Sequence, residues 1–222
     1  MILSFVFFFF ISADNWFIIA SVIGPMYIVI LYYQITHKKI GNIHIVVMSY
    51  TGKIKIKKLN KTSLLLFNSD SSMIKFTLSN VYLKFGIEKY NNTYILNIHV
   101  DKNDNNEEYN KVIDIVGIEG NVKNTQQSVI DSRRYNIEGK GYKSSLTDIK
   151  ECGKEITSIR TYMNHNAEIL FPGASLPIGF DSDISGYKAD VDITVKNVWI
   201  TDNNFGLIIY TDKVKLIKKF AK

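Results

Sequence analysis

The run from Tyr187 to Ile217, YKADVDITVKNVWITDNNFGLIIYTDKVKLI, constrains the fold more than any other part of the chain. Ala189, Val191, Ile193 and Val195 fall on one parity, with Lys188, Asp190, Asp192, Thr194 and Lys196 on the other. Successive side chains of a strand point to opposite faces, so this period of two predicts a strand with one face in a core and one in water. Thr201-Asp202-Asn203-Asn204 supplies residues that tolerate turn geometry. A second strand is expected from Phe205 to Tyr210, running on toward Ile217, with Gly206 marking a bulge or a close backbone approach. The two strands form a β-hairpin that closes the domain.

This hairpin resembles the last strands of OB-fold single-stranded DNA-binding proteins of phages and large DNA viruses. The residues that carry the resemblance are Asp190 to Trp199, Phe205-Gly206-Leu207 and the run-out Lys213-Val214-Lys215-Leu216. The rest of the chain shares only a strand pattern with that family. The resemblance implies a mostly β, OB-like Greek-key barrel with long loops and one short helix. It implies sequence-independent binding of single-stranded DNA in viral replication or recombination, with RNA as the alternative ligand. Replication proteins and further copies of the chain are the other implied partners, and the implied location is intracellular, at sites of viral DNA replication in cytoplasm or nucleus.

Composition divides the 222 residues into two unlike parts, a hydrophobic segment 1–47 and a domain 48–222. The segment holds only Lys38, Lys39 and Asp14 among formal charges, so the net charge of +6 falls almost wholly on the domain. That is a mild bias toward anionic partners. Trp16 to Ile35 is free of formal charge and long enough to span a bilayer as a helix about 16–35. Gly24-Pro25 would kink it, and His37-Lys38-Lys39 would hold the following domain in the cytosol. A cleaved signal peptide fits less well, because no basic residues precede the apolar run. Met48 reads as an ordinary start, which makes an upstream reading-frame extension the competing account of residues 1–47. The second functional reading follows from the helix: a membrane-anchored β-domain interaction protein with no nucleic-acid ligand. Cys152 is the only cysteine, which excludes an intramolecular disulfide framework.

Further strands are expected along the domain. GKIKIKKLNK, from Gly52, alternates Ile and Lys as a basic edge strand. Met73 to Lys89 and Tyr94 to Asp101 form a hairpin about Tyr90-Asn91-Asn92-Thr93, and Gly86 marks a sharp bend in the longer strand. Asp101 to Asn110 reads as an acidic loop, Val112 to Ile118 as a strand and Glu119 to Leu146 as a long loop. A short helix is expected from Ser145 to Cys152, then a strand from Glu155 to Met163.

No catalytic motif is visible, so the sequence points away from an enzyme and calls for no cofactor. No P-loop spacing occurs, and His37, His44, His99 and His165 have no metal-ligand spacing. Cys152 with His165 as a thiol–imidazole pair is far less supported than an incidental cysteine and a solvated histidine. The one constellation with a mechanism is aromatic residues interleaved with basic ones. Exposed rings stack unpaired bases while cations track the phosphates. The candidates are Tyr82, Lys84 and Phe85; Lys89 beside Tyr90; Arg133, Arg134 and Tyr135; Lys140, Tyr142 and Lys143; Arg160 and Tyr162; Lys188, Lys196 and Trp199. Phe85 and Trp199 compete with a core role, because Trp199 shares parity with Val191 to Val195. Arg133-Arg134-Tyr135 stands out, since two arginines in an apolar-poor stretch call for an electrostatic reason.

Overall fold

The computed structural model describes residues 54–103 and 106–220, together with three short strands within residues 12–34. The chain separates into two units, Met1–Thr51 and Gly52–Lys222. In the first, β1 (Ser12–Ala13), β2 (Trp16–Val22) and β3 (Ile28–Gln34) form an antiparallel sheet in that order. The helix expected over about 16–35 is therefore corrected to a strand pair, with Trp16 opposite Gln34 and Val22 opposite Ile28. Ile and Val recur in both strands, with Trp and Phe in β2 and two tyrosines in β3, and these residues favour extended backbone, which an apolar run read by length alone conceals. Among the described residues no helix is long and apolar enough to cross a membrane. Met48 lies outside the described residues.

The second unit is built from β4 (Lys55–Lys58), β5 (Ser63–Phe67), β6 (Ile74–Leu83), β7 (Ile87–Tyr90), β8 (Thr93–Asp101), α1 (Asn106–Thr125), α2 (Val129–Tyr135), β9 (Gly141–Lys143), β10 (Leu146–Glu151), β11 (Lys154–Leu170), β12 (Tyr187–Ile200) and β13 (Asn204–Lys219). Five of these strands close a ring in the order β6-β8-β11-β13-β12 and back to β6. Every pair is antiparallel except β11 with β13. Numbered within the ring, the order is 1-2-3-5-4-1, a five-stranded Greek-key barrel of the OB type. Leu78, Leu96, Ile98, Ile159, Val191, Ile193, Ile209 and Val214 fill it at 2% exposure or less. β5 and the basic edge strand β4 extend the sheet beyond β12.

The ring is weakest between β6 and β8, which meet only where Tyr82 faces His99. Helix α1 packs against both strands. It buries Val112, Ile115, Ile118 and Val122, and Lys111 Nζ donates to the Thr77 carbonyl of β6. Burying each such side chain contributes roughly 1.5–3 kcal/mol. The strand expected at Val112–Ile118 is thus a stretch of helix, and the loops expected on either side belong in part to α1 and α2. The β-branched run invites a strand reading. Its buried positions, 112, 115, 118 and 122, repeat with helical spacing once Glu108 and Glu119 are counted on the same face. The helix expected at Ser145–Cys152 is corrected to β10, which turns into β11 at Cys152 (φ 50) and Gly153 (φ 78). A two-residue turn with both φ positive suits the right-handed twist of a hairpin.

Gly86 lies at the bend between β6 and β7 with φ +69, and a Cβ there would sit 2.9 Å from the backbone nitrogen of Ser185. Gly139 has the same φ with open space around it. Gly139→Ala should therefore lose only the left-handed penalty of about 1–2 kcal/mol. Gly86→Ala should lose about 1–3 kcal/mol more from the steric overlap. Urea unfolding of the two variants beside the parent measures the difference.

Candidate nucleic-acid interface

β12 changes face within its own length. Ala189, Val191, Ile193 and Val195 point into the barrel, and so do Val198 and Ile200. The pairing with β13 slips between Val195 and Asn197, leaving Lys196 as the extra residue of a bulge. A bulge re-aims the side chains beyond it. Trp199 consequently turns outward, although it shares the parity of Val191 to Val195, so the core alternative for Trp199 does not hold. Its indole lies against Gly206, where a Cβ would stand 3.0 Å from Trp199 Nε1 and 2.4 Å from the Lys143 carbonyl. Gly206 is the close approach expected from sequence.

Trp199 joins a groove of about 760 Å³ over β11 and β13. Its floor is Tyr162 and Tyr210, which are register partners on the parallel pair, together with Ile208. One wall is Tyr94 and Phe180, edge to face at 5.2 Å, with Asn92 and Thr93 from the turn before β8. A second trough of about 490 Å³ shares Asn164, His165 and Tyr210 with the first and carries it to Lys75, Thr194 and Lys196. Burial and the neighbouring Tyr162 push the Tyr210 phenol above its ordinary value, so it stays a donor at neutral pH. Asp212, the carboxylate in this trough, accepts from Thr194 Oγ1 and Asn164 Nδ2. Cations flank the rings: Lys89 Nζ is 5.8 Å from the Tyr94 centroid, and the Arg160 guanidinium is 5.6 Å from that of Tyr90.

The arrangement offers five rings, Trp199, Tyr162 and Tyr210 with Tyr94 and Phe180 of the wall, and Lys75, Lys89, Arg160 and Lys196 beside them. It lies across the third and fifth ring strands between the turn at Asn91-Asn92 and the end of β12. Oligonucleotide-binding OB barrels use the second and third strands with the loops between strands 1 and 2 and between 4 and 5; this groove shares with that face the third strand and the connection between the first two.

The remaining sequence candidates separate into two further groups. Tyr82, Lys84 and Lys188 line another cleft, of about 590 Å³, beside the Tyr82–His99 bridge. Phe85, 52% exposed, stands next to it with its ring against His99. Arg133, Arg134, Tyr135, Lys140, Tyr142 and Lys143 line none of these clefts. Tyr135 is buried and donates to the Ile56 carbonyl, Arg134 lies over its ring, and Arg133 pairs with Glu138. Both arginines occupy the last turn of α2, where cations complement the helix dipole and Asn136 caps in the left-handed region. Lys140 Nζ holds the carbonyls of Thr201 and Asp202, and Tyr142 packs on Phe205 beneath Lys123. Cys152 and His165 line different clefts and make no pair.

Sequence reasoning missed Tyr94, Phe180, Tyr210 and Lys75. Tyr210 carried a signal, since it sits two residues beyond Ile208 on the outward parity of β13. Phe180 carried none, because it stands in a connection between strands.

No protein-family model and no curated protein sequence matches the chain. Among solved structures the chain is similar to gp2.5, a single-stranded DNA-binding protein encoded by bacteriophage T7. Identity is 11% and the TM-score 0.44, over 67% of this chain and 93% of that one. It is also similar to the single-stranded DNA-binding protein of bacteriophage Enc34 in complex with single-stranded DNA, at 13% identity and TM-score 0.43, over 77% and 97%. A C-terminal truncation of the Enc34 protein gives 12% identity and the same score and coverage.

His99 yields a pH prediction. Burial, and then the charge of Lys84, hold its imidazole below the ordinary 6.5. As pH falls through 6.5 the unfolded chain takes up a proton that the folded chain refuses, so stability declines below that pH. His99→Phe should flatten this decline in unfolding curves recorded between pH 7 and about 5.

Proposed function

We propose that the barrel of residues 54–220 binds single-stranded DNA without sequence preference, with the bases on Tyr162, Tyr210, Trp199 and Tyr94 and the phosphates on Lys75, Lys89, Arg160 and Lys196. The observation that carries this reading is the aromatic floor of the groove, built on rigid strands and edged by cations. Rings accept any base, which gives affinity without sequence readout, while a duplex keeps its bases stacked on one another. The viral setting, replication or recombination at sites of viral DNA synthesis, follows the resemblance of the closing hairpin. Single-stranded DNA held this way is kept from reannealing.

Fluorescence anisotropy of labelled oligo-dT, titrated with the full chain at two salt concentrations and with a duplex control, tests the reading. Each phosphate neutralised contributes roughly −0.7 to the slope of log K against log salt for single strands, so four cations give a slope on the order of −3. Absence of binding at low salt sinks the proposal.

Substitutions separate the groove from the α2 cluster. Tyr162→Ala and Trp199→Ala should each weaken oligo-dT binding by about 1–3 kcal/mol, roughly 5- to 150-fold. Arg133→Ala and Arg134→Ala should leave it within about twofold, because those side chains serve α2. The same anisotropy assay reads both pairs.

A further inference from the structure

The cleft beside the Tyr82–His99 bridge has features that the groove over β11 and β13 does not use. His99 forms its floor at 4% exposure, and neither ring nitrogen has a hydrogen-bond partner among the described residues. Buried polar atoms are nearly always partnered, and an orphaned one calls for an explanation. The ring is neutral at neutral pH, for the reasons given above, so it presents one donor and one acceptor. Aromatic side chains crowd around it. Tyr82 meets it edge on at 6.4 Å and Phe85 at 5.7 Å, and Phe220 in turn packs on Tyr82 at 5.7 Å.

Three lysines rim the cleft. Lys84 is paired with Glu151 at 2.6 Å and Lys154 with Asp101 at 2.9 Å. Lys188 makes no ion pair among the described residues, and its ammonium lies 5.4 Å from the Phe220 centroid. Phe220 forms the lip of the cleft. It is 44% exposed and sits past the end of β13, held by a hydrogen bond from its backbone nitrogen to the Gly186 carbonyl. A planar group that displaces its ring gains an aromatic face on Tyr82, a donor–acceptor edge on His99 and a cation at Lys188.

We propose that this cleft is a second binding site, for one nucleotide, with the base against Tyr82 and His99 and the phosphate at Lys188. A flat heterocycle whose edge both donates and accepts, joined to an anion, is the chemistry that satisfies an orphaned neutral imidazole beside rings and an unpaired lysine. The nucleotide is either one unit of the strand in the main groove or a free mononucleotide. The first source rests on the function proposed above, and the second does not. Because His99 reads an edge, the site gives a base preference that stacking alone does not supply.

Cys152, the sole cysteine of the chain, is exposed and lines the cleft, so its reaction with a maleimide reports occupancy. The rate is measured on the full chain with each deoxynucleoside monophosphate, and with oligo-dT whose binding is followed in parallel by anisotropy. Protection of at least fivefold by a monophosphate, differing among the four bases, is the result expected for a free nucleotide. Protection only by the oligonucleotide, lost together with anisotropy in Trp199→Ala, is the result expected for a unit of the bound strand. Either protection should disappear in Lys188→Ala, and in His99→Phe, which keeps a ring in place. Cys152 reacting at an unchanged rate while anisotropy shows saturation overturns the second site and leaves the main groove standing. Monophosphate protection without oligonucleotide binding overturns the single-strand reading and leaves the cleft. Protection that survives both substitutions also overturns the cleft as the source.

Discussion

The barrel depends on one antiparallel pairing, β12 with β13, which runs from Tyr187 opposite Lys219 to Ile200 opposite Phe205. β12 also pairs with β6, and β13 with β11, so this contact turns an open sheet into a ring. Closure requires both strands to bend, and the bends are bulges. One of them, at Lys196, sets the direction of Trp199. The groove is therefore a by-product of how the ring closes. Its indole faces outward because the strand needed an extra residue there, and the glycine opposite leaves it room. A fold constraint and a functional side chain are linked through a single register slip.

Much of the architecture was legible because its signals were local. The alternation of Ala189 to Val195, the turn at Thr201 to Asn204 and the bend at Gly86 each follow from a few neighbouring residues. The helix α1 was not legible in this way. Its stripe of Val112, Ile115, Ile118 and Val122 includes β-branched residues that prefer strands in isolation, and its face is completed by Glu108 and Glu119. Lys111 meets one oxygen of Glu108, and the Ser144–Ser145 segment meets both oxygens of Glu119. Tertiary partners decided the element, and no window of sequence contains them. Trp199 shows the same limit. Its parity indicated the core, and only the slip against β13 reveals otherwise.

The basic residues illustrate a second limit, that charge in a sequence carries no address. Arg133 and Arg134 looked like the most pointed cluster, yet they finish a short helix, and Lys140 fastens the turn between the last two strands. Lys75 attracted no notice and stands in the trough that continues the groove. Lysines and arginines also hold carbonyls and helix ends, as Lys58, Lys111 and Lys140 hold carbonyls here. Their number therefore indicates little until each one's neighbours are known.

Gly86 has a mechanical consequence. The bend wedged against Ser185 is the root of the β7–β8 arm, and the tip of that arm, at Asn92 to Tyr94, forms a wall of the groove. β8 is fastened to β11 from Asp101 opposite Ile156 to Ile95 opposite Tyr162, whereas β7 is held by β8 alone. Gly86 therefore sets the point from which β7 doubles back along β8, and with it where the turn at Asn91-Asn92 reaches the edge of the groove.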